Sequence, residues 1–310
     1  MNIINLFNAL PGACAQGLIW GIMAIGVYIT YKILDLADLT VDGTMATGGA
    51  VCVMMMISGH SVWLSLLVAF IVGCLAGLVT GVLHTALGIP AILAGILTQL
   101  GLYSINLRIL DNKANQAINV DKYDLLVSLR YIKDVPFYRN TILVVAVIIA
   151  LLVAVLYWFF GTELGSAIRA TGSNHNMSRA QGINTNAMKV IGLILSNGIV
   201  AFASGLYAQY QGFADVNAGR GAIVIGLAAV IIADVIFGKI KGNFAFKLAS
   251  VSFGAIIYYI VLQIVMWLGL NSNDLKLLSA IIVALFLAIP YIKTKYAPKK
   301  VVKKGENADA

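Results

Sequence analysis

"RATGSNHNMSRAQGINTN", Arg169 to Asn186, holds two arginines, a histidine, four asparagines and two glycines, and it lies between two long apolar runs. The rest of the chain is unlike it. Of 310 residues 60% are hydrophobic and only 11% charged, and mean hydropathy is +0.92. A soluble domain carries about 25% charged residues. A water-solvated core of this size cannot hide so much apolar surface, so the solvent is lipid. The polar stretch is then a loop that has to leave the bilayer, and the remaining chain divides around it.

The apolar runs are roughly Gln16–Leu34, Gly43–Ile57, Val62–Leu87, Pro90–Ile109, Thr141–Gly161, Ala187–Tyr210, Ala222–Phe237, Phe244–Leu268 and Leu275–Ile292. The expected fold is an all-α integral membrane protein, a polytopic helical bundle of about eight to nine membrane segments. Residues 1–292 form the membrane domain, with an external loop at about 110–140 and a cytoplasmic loop at about 162–186, and residues 293–310 form a basic tail. A helix needs about 20 residues to cross the hydrocarbon. Gly43–Ile57 and Ala222–Phe237 are short for that, and each follows a polar, glycine-bearing stretch, "DLADLTVDG" and "GFADVNAGRG". Interrupted spans at comparable places in two halves mark broken or half helices at a transport site. A short helix in a locally thinned bilayer is the plainer alternative.

Lysine and arginine set the orientation. Six lysines fall between Lys293 and Lys304, and Arg169, Arg179 and Lys189 face only Glu163 across the polar loop. Both segments are therefore expected on the cytoplasmic side of a bacterial-type plasma membrane, which leaves the N-terminus outside and the C-terminus inside. The loop 111–140 mixes basic residues with Asp111, Asp121, Asp124 and Asp134, as longer translocated loops tolerate. No basic face of a folded soluble domain is present, which excludes a nucleic-acid partner. Cys14, Cys52 and Cys74 have neither zinc nor disulfide-framework spacing. No cleaved signal peptide is read at the N-terminus. No HExxH, paired histidines or Ser-His constellation points to an enzyme, so no catalytic and no metal-binding residue is assigned.

"GTELGSAIRATGSNHNMSRAQGINTN" (161–186) resembles the cytoplasmic loop of permease subunits of ABC importers for branched-chain amino acids and ribose-type sugars. "NLFNALPGACAQGLIWGIMAIGVYIT", "LADLTVDGTMATGGAV", "VTGVLHTALGIPAILAGILTQLGL" and "GLAAVIIADVIFGKIKGNF" match further landmarks of that family in the same order. The resemblance covers Asn5 to about Pro290, with one N-terminal helix fewer than the ribose-type permeases. It implies a homodimer or a pair with a homologue, two ABC ATPase subunits and an external substrate-binding protein. ATP and Mg²⁺ belong to the partner ATPase. This chain binds no cofactor of its own, since "FGKIKGN" lacks the glycine and hydroxyl of a phosphate loop.

The loop's own chemistry suits docking. Ser173 or Asn174 can cap a short helix and Gly182 can end it in the left-handed conformation. The coupling set is Arg169, Ala170, Gly172, Ser173, Asn174, His175, Arg179 and Gly182, with Arg179 on the helix flank. In "DLADLTVDGTMATGG" a half-helix opening at Gly43 presents free N–H groups and a positive dipole end to a substrate carboxylate. Thr40, Asp42, Gly43 and Thr44, with Gln99 and Asn197 from the fourth and sixth runs, are the candidate pathway residues. Asp35, Asp38 and Asp42 are equally read as helix caps. "DLTVDG" resembles the aromatic amino-acid subset of the family more than the "DLSVG" of ribose-type members. Asp234 is placed in an ion pair with Lys239 or Lys241, or at a gate. The alternatives are a sugar or nucleoside permease of the same family, and an ATP-independent secondary transporter whose ion site is Asp35, Asp38, Asp42 and Asp234.

The orientation has a direct check. With the three native cysteines replaced, a cysteine at Asn115 should react with a membrane-impermeant thiol reagent from outside intact cells, and one at Asn174 should not. The opposite labelling pattern inverts the topology.

Overall fold

The computed structural model describes residues 3–120, 122–123, 125–132, 139–238, 240, 242–269 and 274–296. Asp121, Asp124, Asp134, Lys239, Lys241 and the lysines after Lys295 lie outside them. In chain order the helices are α1 (Ile3–Tyr28), a π-helical turn (Ile29–Ile33), α2 (Thr40–Ile57), α3 (Val62–Thr85), α4 (Ala91–Ile109), α5 (Thr141–Gly161), α6 (Glu163–Ser173), α7 (His175–Ala180), α8 (Thr185–Gln211), α9 (Ala222–Phe237), α10 (Phe244–Trp267) and α11 (Leu275–Tyr296). Two three-residue strands, β1 (Asn115–Ala117) and β2 (Phe213–Asp215), pair antiparallel and tie the α4–α5 loop to the α8–α9 connection.

Seven of the helices are long and apolar enough to cross a membrane: α1 with its π turn, α2, α3, α4, α5, α8 and α10. α9 and the apolar stretch Leu277–Phe286 of α11 are shorter. Among the described residues the nine apolar runs thus become nine helices of unequal length. At about 1.5 Å per residue, the 27 residues of α8 reach about 40 Å, whereas the 16 of α9 reach only about 24 Å, less than the roughly 30 Å hydrocarbon thickness.

Position in the bundle does not follow hydropathy. α5 has the highest mean hydropathy among the seven and only 22% of its window is buried, while α2 has one of the lowest and is 78% buried. The lipid-facing helix needs apolar side chains all round, and the central helix needs small ones. α3 supplies Gly73, Gly77 and Gly81, four residues apart on one face, and sets them against Asn197, Leu193 and Val190 of α8. A Cβ on Gly77 would run into the Leu193 carbonyl and stand 2.9 Å from the Ile194 Cα. The same rule holds between α2 and α8, where Gly48 lies on the Ala201 backbone, and between α1 and α10, where a Cβ on Gly17 would be 2.7 Å from the Ile256 Cα. Lipid tails are as apolar as leucine, so helices associate here by close dispersion contact and shared hydrogen bonds.

One departure from the expected helix pattern matters for the site. α2 begins at Thr40, three residues before the Gly43 start expected from sequence. The backbone turns earlier, where Asp35 adopts φ 55°, after the last turn of α1 has widened so that Leu34 N–H reaches back to Ile29 C=O (3.0 Å). Gly43 is instead an interior helical residue whose Cβ would stand 2.9 Å from the Gln99 Cα on α4. It is glycine for close approach, not for a turn.

Overpacking of this kind typically costs about 1–3 kcal/mol. Gly77→Val should therefore lower the thermal midpoint of the detergent-purified chain by several degrees. Gly101→Val, where a Cβ meets nothing within 4 Å, should leave it unchanged. Equal midpoints for the two variants would remove the α3–α8 glycine face as a packing determinant.

Candidate functional site

α2 and α9 start inside the protein, and each start is closed by an aspartate. Beyond Leu34, segment 35–39 runs in non-helical backbone to the head of α2. Asp38, only 3% exposed, accepts the Thr40 N–H at 2.9 Å and so satisfies one of the free donors at the head of α2. Its other oxygen accepts Nδ2 of Asn197 on α8 at 2.7 Å. Thr44 Oγ1 donates to Oδ1 of the same Asn197 (2.7 Å). Asn197 is thus a fully buried clamp between the broken segment, α2 and α8. Beside it Thr40, Thr80 and Thr98 form a hydroxyl chain, 2.7 and 2.9 Å, joining α2 to α3 and α4.

Asp42 does the same for α9. One carboxylate oxygen accepts the Gly221 N–H and the other the Ile223 N–H, both at 2.9 Å. Gly221 has φ 84°, a left-handed entry that glycine adopts freely. An anion at a helix N-terminus is stabilised by the unpaired N–H groups and the dipole. The half-helix expected to greet a substrate carboxylate is α2, and its head is met by the chain's own Asp38, while Asp42, expected beside it, caps α9 instead. Among the residues singled out from sequence, Asp42, Gly43 and Gln99 line one cavity of about 150 Å³ between α2, α4 and the α8–α9 connection. Thr40, Thr44 and Asn197 are buried and bonded to one another's helices. Asn106, Tyr103 and Arg220 line the same cavity. Arg220 carries the one charge of its kind in the polar stretch before α9, a signal present in the sequence; Asn106, a single polar residue in the apolar fourth run, carries no signal that sets it apart.

The polar loop folds as two helices rather than one, and it has three side-chain caps. Thr162 accepts Gly165 N–H (3.3 Å) to start α6, Asn174 accepts Met177 N–H (3.0 Å) to start α7, and Asn184 accepts Ala187 N–H (3.1 Å) to start α8. Ser173 closes α6 instead of capping. Gly182, φ 82°, ends α7, with its N–H on Arg179 C=O and the Ile183 N–H on Ser178 C=O, both 3.0 Å. Arg179 is not a free flank: Nε donates to Thr185 Oγ1 at 3.0 Å and a terminal nitrogen to Asn186 Oδ1 at 3.3 Å, fastening α7 to α8. Arg169 lies 5.6 Å from the Phe244 ring centre, fastening α6 to α10. His175 stands beside them; desolvation first, then the charges of Lys189 and Arg179, push its imidazole below the ordinary histidine value. Met177 projects from the tip, 57% exposed.

A backbone contact joins the two regions. A Cβ on Gly172 would collide with the Ile33 carbonyl, and one on Gly192 with the Leu34 side chain. α6 and α8 therefore close on the end of α1, just where the segment carrying Asp38 begins. At this same end Asp234 takes Lys32 as partner (2.6 Å), both side chains about half exposed at 46% and 50%. The pairing expected with Lys239 or Lys241 falls on lysines outside the described residues. Asp38, Asp42 and Asp234 are thus held by three separate sets of donors.

Comparison with known proteins agrees with this architecture. Residues 11–297 match the family model described as branched-chain amino acid transport system / permease component. A tyrosine transport system permease protein of Clostridioides difficile (strain R20291) is 38% identical over 281 residues, 91% of each chain. A fructose import permease protein of Bifidobacterium longum (strain NCC 2705) is 29% identical over 79% of this chain and 67% of its own. Among solved structures, PsaBC from Streptococcus pneumoniae in complex with Fab aligns over 95% of this chain and 100% of that chain with TM-score 0.54 and 15% identity, a likeness of fold. With the family model spanning nearly the whole chain, this protein belongs to the branched-chain amino acid transport system permease family.

Proposed function

We propose that the chain is the membrane subunit of an ATP-driven importer for an amino acid, with an aromatic amino acid the best candidate. A tyrosine permease relative that covers 91% of the chain supports the substrate class, and "DLTVDG" points the same way. Two copies, or one copy and a homologue, enclose the path. An external binding protein delivers the solute, and two ATPase subunits dock at α6 and α7 on the cytoplasmic face.

One observation carries the mechanism: α6 rests through Gly172 on the backbone of Ile33 and Leu34. Movement of α6 by an ATPase then displaces the segment that bears Asp38, and through it the heads of α2 and α9. Asp38 and Asp42 hold those heads by hydrogen bonds that break and re-form as units. Ala170, Ser173, Asn174 and His175 belong to the docking surface with Met177 at its tip. Arg169, Arg179, Gly172 and Gly182 shape that surface from behind.

The secondary-transporter alternative needs its aspartates in one ion site. Their separate engagement, with backbone N–H groups, Asn197 and Lys32, favours structural and switching roles. A sugar substrate is kept in view by the fructose relative at 29% identity.

Purified chain, co-expressed with its cognate ABC ATPase and binding protein, should import L-tyrosine into proteoliposomes only with ATP at the ATPase side. Uptake driven by a proton or sodium gradient without ATP overturns the reading. Met177→Glu sets an unpaired carboxylate into the docking surface and should reduce ATPase co-purification by about tenfold or more. Full co-purification places the docking surface elsewhere.

A further inference from the structure

The cavity beside Asp42 contains a polar group that the chain leaves unanswered. Asn106 is 1% exposed, and among the described residues neither its amide nitrogen nor its amide oxygen has a hydrogen-bond partner. An unpaired buried polar group costs about 1–3 kcal/mol, and native proteins keep few of them. The neighbouring buried amide, Asn197, is by contrast fully engaged with Asp38, Thr44 and its own helix. An orphan that offers both a donor and an acceptor to a cavity is a group prepared for a ligand.

The rest of the lining states what ligand. Asp42 brings a carboxylate and Arg220 a guanidinium to the same cavity of about 150 Å³. Asp42 already accepts two backbone N–H groups, but a carboxylate has about four acceptor positions. Arg220 directly precedes Gly221, whose N–H Asp42 holds, so residues of opposite charge border the one cavity from neighbouring backbone. Paired charges of both signs suit a zwitterion, whereas a neutral sugar needs neither. The volume admits an ammonium and a carboxylate on one carbon. Leu100 and Tyr103, 64% and 43% exposed, line it too and offer an apolar and aromatic surface for the remainder of the solute.

We propose that this cavity is a subsite on the permease itself for the α-amino and α-carboxylate groups of the transported amino acid. Arg220 takes the carboxylate, Asp42 the ammonium, and the Asn106 amide hydrogen-bonds across both. The proposal rests on the amino-acid importer reading and adds a recognition step within the membrane subunit. Such a station has to bind weakly, since a tight one would hold the solute back.

Asn106→Leu keeps the branching at Cγ, sets a larger apolar side chain against the cavity and removes the orphan amide. In the reconstituted complex it should cut ATP-dependent L-tyrosine uptake per assembled complex at least tenfold, while the thermal midpoint holds or rises. Arg220→Gln, on an exposed side chain, should cut uptake similarly, with Arg220→Lys recovering part of it. Without the binding protein, saturation-transfer NMR on the wild-type complex should detect millimolar L-tyrosine but not tyramine, which lacks the carboxylate. Wild-type uptake with both Asn106→Leu and Arg220→Gln within twofold of it overturns the subsite and leaves the importer reading standing. A lowered midpoint in Asn106→Leu with undiminished uptake per assembled complex makes that residue structural and overturns it likewise. Should Asn106→Leu fail to assemble, Arg220→Gln decides. A wild-type complex that imports a sugar and no amino acid defeats the importer reading itself, and the subsite falls with it.

Discussion

A helix that starts inside a bilayer protein exposes N–H groups that lipid cannot satisfy. In this chain that constraint is met twice by an aspartate placed at the right end: Asp38 at the head of α2 and Asp42 at the head of α9. Neither carboxylate is affordable alone at that position. Each is tolerated because the helix terminus needs an anion as much as the anion needs donors. Because Asp42 stands in the first turn of α2 and caps α9, these two helices are connected end to end, although 179 residues separate Asp42 from Gly221.

The packing around this junction is built for proximity. Glycines on α3, α2 and α1 set backbone against backbone, which brings α8 within reach of both α2 and α3. Only at that separation can Asn197 bond Asp38 and Thr44 simultaneously. Small residues and buried polar ones are therefore parts of one design: the former set the distance over which the latter act.

The capped pair α6–α7 is joined to the same region through a surface with no side chain on one partner, Gly172 against Ile33. Contact through backbone has little slack, since no rotamer can absorb a displacement. Arg179 and Arg169 hold the pair to α8 and α10, and α8 also carries Asn197 of the buried site.

The membrane class, the apolar segments and the shortness of α9 were legible in residues alone, because hydropathy and length report directly on the bilayer; α2, which looked short, gains three residues at its start and is long enough to cross. So were the turn-ending Gly182 and the cap Asn174, which depend on chain neighbours within a few positions. The start of α2 was misread by three residues: Gly43 looks like a break, but glycine is equally what close contact with Gln99 requires, and only the fold tells the two apart. Partner choices across the chain were out of reach for the same reason. That Asp234 takes Lys32, that Asp42 caps α9 and that Asn106 is buried without a partner among the described residues are facts about which helices become neighbours. Sequence fixes which side chains carry charge and which segments are helical; the distance between helices, decided by tertiary packing of small residues, determines whether a given aspartate is a cap, a clamp or part of a binding cavity.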